Sequence, residues 1–132
     1  MKEQLISFET AKLAKEKGFK EGSRKGYLPN GEIGISHYAS LCHNDKEDYP
    51  TKYAAPTQSL LQKWLMEKYR IFININYDGN DEVFRVEIIK QNNDRSRKVF
   101  YLKEENIIMM FHSYEDALEI SLQEALKLID NK

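Results

Sequence analysis

The chain has 132 residues, 41% of them hydrophobic and 31% charged, and its formal net charge is −1. This size and composition predict one globular domain over residues 1–132 with its own hydrophobic core, and the near-neutral charge argues against a protein that binds polyanions over its whole surface. The apolar runs are too short to span a membrane, the N-terminus lacks a signal-peptide pattern and Cys42 is the single cysteine, so we expect a cytoplasmic protein with no disulfide and no membrane partner.

The first predicted element is a short helix that begins after Ser7, a favourable N-cap residue. Its apolar positions at helical spacing are Phe8, Ala11 and Ala14. Gly18 and Phe19 are typical of a helix end at which glycine takes a left-handed conformation and the next residue packs back. We therefore predict that this helix ends near Lys17.

Residues 20–54 show no clear periodicity. The tripeptide Pro-Asn-Gly that begins at Pro29 has the composition of a turn, and it predicts a small hairpin between residues 26–28 and 32–35. We expect the rest of this region to be a long irregular segment.

A second helix is predicted directly after Pro56, with Thr57 as its N-cap. Its predicted apolar stripe consists of Leu61, Trp64, Leu65 and either Tyr69 or Lys68. The polar residues assigned to the opposite face are Gln58, Gln62, Lys63 and Glu67.

Three strands are predicted to follow, because side chains alternate between apolar and polar types and turn residues separate the runs. The first has a predicted buried face of Ile71, Ile73, Ile75 and Tyr77. The second spans residues 83–89, and its predicted buried residues are Phe84, Val86 and Ile88. A third covers residues 98–102, and residues 107–111 either add a fourth strand or lead into the last helix.

The last predicted helix begins after Ser113, which together with Asp116 approximates a capping box. Its apolar stripe is Tyr114, Ala117, Leu118, Ser121, Leu122, Ala125 and Ile129. Residues 57–132 thus have the order α-β-β-β-α. We predict an α+β fold, in which an antiparallel three- or four-stranded sheet carries two amphipathic helices on one face, and residues 1–56 add an N-terminal helix and a long irregular segment that wrap around this core.

Three segments in order, SFETAKLAKEKGF, APTQSLLQKWLMEK and YEDALEISLQEALKLI, resemble a group of short phage and prophage proteins of uncharacterised function. The resemblance implies an origin in a phage or another mobile element. It implies no catalytic residues.

The α-β-β-β-α order is also similar to the double-stranded-RNA-binding domain. In that family the last helix begins with a basic motif that contacts phosphates, whereas the matching turn here contains Glu115 and Asp116. Carboxylates at this position argue against RNA binding of that kind. The strands followed by YEDALEISLQEAL also resemble antitoxins of the HicB type, whose RNA-binding-like fold ends in a comparable helix.

A first candidate site is the sheet face opposite the helices, which is predicted to carry Phe72, Asn74, Asn76 and Arg85, with Phe100 as a further candidate. This pattern is typical of a partly apolar, polar-rimmed surface that binds another protein. The alternative is that residues 1–54 cover this face as a third layer.

A second candidate site is the basic turn before the third strand. If the chain binds nucleic acid, we expect Arg95, Arg97 and Lys98 to contact phosphates. The alternative is a solvated basic surface that is balanced by the acidic last helix.

A third group of residues could in principle bind a transition metal: His37, Cys42, His43 and Asp45. The paired spacing of a zinc site does not occur, and adjacent Cys and His side chains point in different directions. We interpret these residues as polar loop residues, and we predict no metal, no cofactor and no catalytic residue.

The sequence therefore favours a small, non-catalytic phage or prophage accessory protein that binds a host or phage protein. A nucleic-acid-binding or antitoxin-like module that uses the basic turn is the alternative, and a metal-dependent or Cys/His enzyme is the third. The oligomeric state stays open.

Overall fold

A computed structural model of the chain describes residues 4–19, 25–28, 30–35, 53–104 and 107–129. In these ranges the protein has three α-helices, two three-stranded antiparallel sheets and a two-stranded ladder, which confirms the α+β class. The chain divides into two compact units, Met1–Gln58 with Asn131–Lys132, and Ser59–Asp130. That residues 1–132 form a single domain stays a prediction.

Helix α1 spans Phe8–Glu16 in the first unit. The Ser7 side chain caps it by accepting a hydrogen bond from the Thr10 backbone N–H at 3.3 Å. Ala11 and Ala14 are completely buried, which confirms the predicted apolar stripe at these two positions.

The C-terminus of α1 also confirms the prediction. Gly18 has φ +94° and donates its N–H to the Lys15 carbonyl at 3.1 Å. The next N–H, that of Phe19, donates to the Ala14 carbonyl at 2.9 Å, and the Phe19 side chain is fully buried. These two bonds and the apolar contact form a Schellman motif.

The first sheet has the strand order β2-β1-β3, with β1 at Lys25–Tyr27, β2 at Ile33–Ile35 and β3 at Tyr53–Ala54. The β1–β2 hairpin confirms the predicted one. Residues 53–54, which form β3, were expected to belong to the irregular segment, and this expectation is wrong. A two-residue strand is too short to show an alternating pattern in the sequence.

Phe8 holds this unit together through aromatic contacts. Its ring centroid lies 5.5 Å from that of Tyr27 and 5.6 Å from that of Tyr53. The Tyr27 hydroxyl donates to the Ile6 carbonyl at 2.6 Å, so its buried polar atom has a partner. Gly31, with φ +89°, lets the hairpin turn approach the Phe8 ring, which would lie 3.0 Å from a Cβ at this position.

Helix α2 spans Gln58–Tyr69, and Leu61, Trp64 and Leu65 are buried as predicted. Gln58 was assigned to the polar face, which is wrong, since only 4% of it is exposed. Its backbone N–H donates to the Gln4 carbonyl at 2.8 Å, and both residues belong to the first unit.

The second sheet has the strand order β4-β5-β6, with β4 at Ile71–Asp78, β5 at Val83–Gln91 and β6 at Arg97–Tyr101. Both pairings are antiparallel. A single residue, Arg70, separates α2 from β4, and it takes a left-handed conformation with φ +55°. The Arg70 N–H donates to the Met66 carbonyl at 3.1 Å and closes the helix.

One face of this sheet, named here the Ile73 face, is the buried one. The register pairs Ile73 with Ile88 and Ile75 with Val86, so their side chains share this face. Tyr77 was predicted to be buried on the same face, which is wrong, since it is 58% exposed. It lies at the turn end of β4, where its ring packs against that of Phe84 at 5.0 Å.

Residues 107–111 touch the sheet at one point. A short strand β7 at Lys103–Glu104 pairs with β8 at Ile107–Ile108 and forms a separate ladder. Phe111 then exchanges two backbone hydrogen bonds with Phe84, at 2.7 and 2.9 Å. The chain thus leaves the sheet after β6 and returns to β5 before the last helix.

Helix α3 spans Tyr114–Lys127 and is capped by the Ser113 hydroxyl oxygen, which accepts from the Asp116 N–H at 3.1 Å. Its buried residues are Ala117, Leu118, Ser121, Leu122, Ala125 and Leu126, which confirms most of the predicted stripe. Tyr114 is 45% exposed, so its assignment to the stripe is wrong, since it occupies the first turn. The Lys90 ammonium on the Ile73 face donates to the Leu128 carbonyl at 3.0 Å and ties the end of α3 to β5.

Candidate functional site

The face of the β4–β5–β6 sheet opposite the Ile73 face carries the candidate site and is named the Phe72 face. The register pairs Asn74 with Glu87 and Asn76 with Arg85, and residues opposite one another in a ladder share a face. Strand alternation places Phe72 beside them. The four residues predicted for this face thus lie on it together.

An apolar row crosses the Phe72 face from strand to strand. Phe72 lies opposite Ile89, and Ile89 lies opposite Val99. Phe72 and Ile89 are half-buried, and Val99 is 41% exposed. The row offers apolar surface on all three strands, which is the kind of patch that a partner covers.

A polar row lies directly beside the apolar one. The Asn74 side-chain amide donates to the Glu87 carboxylate at 3.2 Å, and Tyr101 lies opposite Glu87 on β6 with 52% of its surface exposed. This combination of a partly exposed aromatic ring and paired polar groups is common in protein-binding surfaces.

A groove of about 460 Å³ opens on the Phe72 face. Its lining residues are Phe72, Asn74, Ile89, Gln91, Arg95 and Arg97. The groove therefore joins two predicted sites, because Phe72 and Asn74 belong to the protein-binding set and Arg95 and Arg97 to the nucleic-acid set.

Arg85 is held by carboxylates of the β4–β5 turn. Its guanidinium donates to Asp78, and also to Asp81 at 3.0 Å. The hydrogen bond from Arg85, followed by that from the Asn80 backbone N–H, holds the pKa of Asp78 below its ordinary value. Arg85 thus has internal partners, and its first role is to fix the turn.

Arg95 and Arg97 differ from Arg85, whose guanidinium is paired with two carboxylates. Arg95 lies in the β5–β6 turn with φ +70°, and its backbone N–H donates to the Asn92 carbonyl at 3.1 Å. Within the described ranges, neither guanidinium makes a hydrogen bond or an ion pair. Two exposed cations therefore lie at one end of the groove.

The nearest carboxylate in that turn, Asp94, is bonded to its own loop. It accepts from the Ser96 N–H at 2.9 Å and also from the Ser96 hydroxyl. Both bonds lower the pKa of Asp94, and the bond from the Ser96 hydroxyl has the larger effect. The turn keeps its shape through this carboxylate, since Asp94 bonds to Ser96 and forms no ion pair with Arg95.

Two of the predicted site residues, Phe100 and Lys98, lie on the Ile73 face of the sheet and not on the Phe72 face. Phe100 pairs with Ile88 and so belongs to the Ile73 face, which makes its candidate place on the Phe72 face wrong. Lys98 shares that side, and its ammonium lies 5.3 Å from the centre of the Phe100 ring. The register places Val99 opposite Ile89 and Tyr101 opposite Glu87, so these two residues of β6 lie on the Phe72 face and Phe100 does not.

Ile89, Val99 and Tyr101 are the residues of this face that sequence reasoning missed. The alternation within β5 marks Ile89 as lying beside Arg85 and Glu87, so a signal for it exists. Val99 and Tyr101 depend on the β5–β6 register, which the sequence does not show.

The predicted loop candidates His37, Cys42, His43 and Asp45 lie outside the described residues. Across the ranges that are described, no group of three or more His, Cys, Asp or Glu side chains could hold a metal ion. None of the helices in those ranges is long and apolar enough to cross a membrane.

No protein-family model matches the chain, and comparisons with curated proteins and with solved structures found no match. The site is therefore interpreted from its own geometry.

Proposed function

We propose that the chain is a small non-catalytic protein that binds another protein through the Phe72 face. The apolar row Phe72–Ile89–Val99 carries this proposal, because it crosses three strands and its Val99 end is 41% exposed. Partially buried apolar side chains set in a rigid sheet give up little conformational freedom when a partner covers them.

The resemblance of three sequence segments to phage and prophage proteins supports a more specific proposal. The chain acts as a phage or prophage accessory protein in the cytoplasm, and its partner is a host or phage protein. A single cysteine in 132 residues agrees with a reducing compartment.

A pull-down compares the tagged chain with two matched variants, Val99→Glu and Met66→Glu. Val99 and Met66 are each 41% exposed, but Met66 lies on α2. In a nuclease-treated lysate of the organism that carries the gene, we expect a stoichiometric protein partner that Val99→Glu loses and Met66→Glu retains. Equal capture by all three proteins would refute binding through this face.

Nucleic-acid binding is the second candidate, and the guanidinium groups of Arg95 and Arg97, which make no ion pair with a described residue and line the groove with Phe72, favour it. Aromatic rings and cations along a groove are the usual surface for single-stranded nucleic acid. If this candidate is correct, nuclease removes the captured partners and replacing Arg95, Arg97 and Lys98 by Glu abolishes binding to oligonucleotides. A steep fall of affinity with salt would accompany it.

A further inference from the structure

The outer edge of β6 has the properties of a strand-docking site. Within the part of the chain that the structure describes, β5 is the sole strand that pairs with β6, and its residues other than Phe100 are exposed. An edge of this kind presents a row of backbone N–H and C=O groups to a further strand.

The register shows which backbone groups face outward. In an antiparallel ladder, opposite residues alternate between pairs that exchange hydrogen bonds and pairs that do not. The bonds from Asn92 to Ser96 and between Phe84 and Phe111 lie on the β6 side of β5, and they fix the alternation. Lys98 and Phe100 therefore bond to β5.

The residues between them, Arg97, Val99 and Tyr101, direct their N–H and C=O groups away from β5. These three side chains also lie on the Phe72 face, as their partners Gln91, Ile89 and Glu87 show. A strand added to this edge would hydrogen-bond to these residues and place every second side chain on the Phe72 face. It would extend the apolar row by one strand.

The other edge of the sheet is β4, and a side chain of α2 contacts its backbone. The Gln62 side-chain amide of α2 donates to the Ile73 carbonyl of β4 at 3.4 Å. The β4 edge thus has a side chain placed against it at this position, whereas no described residue hydrogen-bonds to the outward backbone groups of β6.

The charges at the β6 edge indicate what the added strand contains. Arg95 and Arg97 make no internal ion pair in the described ranges, and Lys98 contributes a third cation whose contact is the Phe100 ring. Carboxylates are the complementary groups. A second copy of this chain would present the same cations from its own β6.

We propose that the β6 edge binds an extended acidic segment of the partner protein by strand addition. This inference rests on the proposed protein-binding function and specifies the partner chemistry. An apolar side chain of the segment lies beside Val99, and its carboxylates lie beside Arg97, Lys98 and Arg95. A nucleic-acid chain fits less well, because its regularly spaced phosphates would also meet Glu87 opposite Tyr101, whereas the carboxylates of the segment lie only at the Arg95 to Lys98 end.

A designed heptapeptide with the sequence Val-Thr-Val-Glu-Glu-Thr-Glu is a suitable probe. Paired antiparallel to β6, its first, third and fifth residues lie opposite Tyr101, Val99 and Arg97. We expect a fluorescein-labelled peptide to bind the full chain in an anisotropy titration. A peptide with Lys in place of each Glu is the charge-reversed control, and we expect it not to bind.

Two changes separate strand addition from simple charge attraction. N-methylation of the third and fifth peptide residues removes the N–H groups that face β6, and we expect it to lower affinity by more than about tenfold. On the protein, Val99→Pro removes an outward N–H that the β5–β6 ladder does not use, whereas Val99→Thr keeps it. Val99→Pro is expected to lose binding and Val99→Thr to retain it; should Val99→Pro not fold, the methylated peptide with the unchanged protein gives the same answer.

The cations are tested by the double variant Arg95→Asn with Arg97→Gln, since Asn tolerates the left-handed conformation at Arg95. We expect about 3- to 20-fold weaker binding of the acidic peptide, as for two exposed ion pairs. An unchanged affinity would overturn the charge assignment.

Three further results would overturn the inference. These are absence of peptide binding, equal binding of the methylated peptide, and tight salt-sensitive binding of a thymidine dodecamer at the same site. Self-association through β6, seen as a dimer that Val99→Pro dissociates, would also overturn it. If the lysate partner still depends on Val99 while the acidic peptide does not bind, the proposed function stands and strand addition fails; if neither binds, both fail.

Discussion

Replacing Arg70 by glycine is expected to stabilise the protein. Arg70 joins α2 to β4 with φ +55°, a conformation that costs a residue with a Cβ about 1–2 kcal/mol. Glycine adopts it freely, but it loses roughly 0.5–1 kcal/mol more conformational entropy on folding. The free energy of unfolding is therefore expected to rise by about 0.5–1 kcal/mol in Arg70→Gly.

The surrounding structure supports this estimate. The Arg70 N–H donates to the Met66 carbonyl and its carbonyl accepts from the Gln91 N–H, both at 3.1 Å, so glycine can keep both bonds. The Arg70 residue is exposed, so its removal leaves no cavity. The backbone conformation is thus the main quantity that changes.

Urea denaturation followed by the fluorescence of Trp64, the single tryptophan, measures this effect. We expect a higher midpoint at an unchanged m-value. Arg70→Ala removes the guanidinium but retains a Cβ, so we expect no gain from it. Glu82→Gly, also at φ +55°, should give a gain similar to that of Arg70→Gly. A stabilising Arg70→Ala, or a destabilising Arg70→Gly, would refute the reasoning.

Three other changes test the same structure by denaturation. Gly18→Ala is expected to lower stability by about 1–2 kcal/mol, because φ is +94° and no atom lies within 4 Å of the new Cβ, so backbone strain acts alone; no loss would contradict the left-handed cap. Leu122→Ala removes a fully buried side chain of α3 and should cost about 2–5 kcal/mol, whereas a loss below 1 kcal/mol would contradict its place in the core. Arg85 lowers the pKa of Asp78, so this carboxylate stabilises the fold above its unfolded pKa, and the contribution is lost as the pH falls through the folded pKa. As the pH falls through the acidic range, Asp78→Asn should therefore lose less stability than the unchanged protein does, and equal losses would contradict the pairing.

The helices and the three main strands could be predicted from the sequence because their signals are local. Side-chain periodicity marks β4 and β5, and serine caps mark the starts of α1 and α3. Strand β3 and the β7–β8 ladder could not be predicted, because two-residue strands have no period. The exposure of Tyr77 depends on which part of the sheet is covered, and periodicity carries no information about that.

The candidate site was predictable on β4 and β5 and unpredictable on β6. Phe72, Asn74, Asn76 and Arg85 follow from alternation within single strands. The phase of β6 depends on the five-residue β5–β6 connection at residues 92–96, which closes through a left-handed residue at Arg95. A glycine would have marked that position in the sequence, but arginine does not.

Both ends of β5 are secured by residues outside its main ladder. Phe84 near one end exchanges two hydrogen bonds with Phe111, and at the other end the Gln91 N–H donates to the Arg70 carbonyl. Strand ends are where fraying starts, so we expect the β5 amides to exchange with deuterium slowly, through the larger openings of this unit. The middle positions of the Phe72 face, Ile89 and Glu87, therefore lie on a strand whose two ends are already held by hydrogen bonds before any partner arrives.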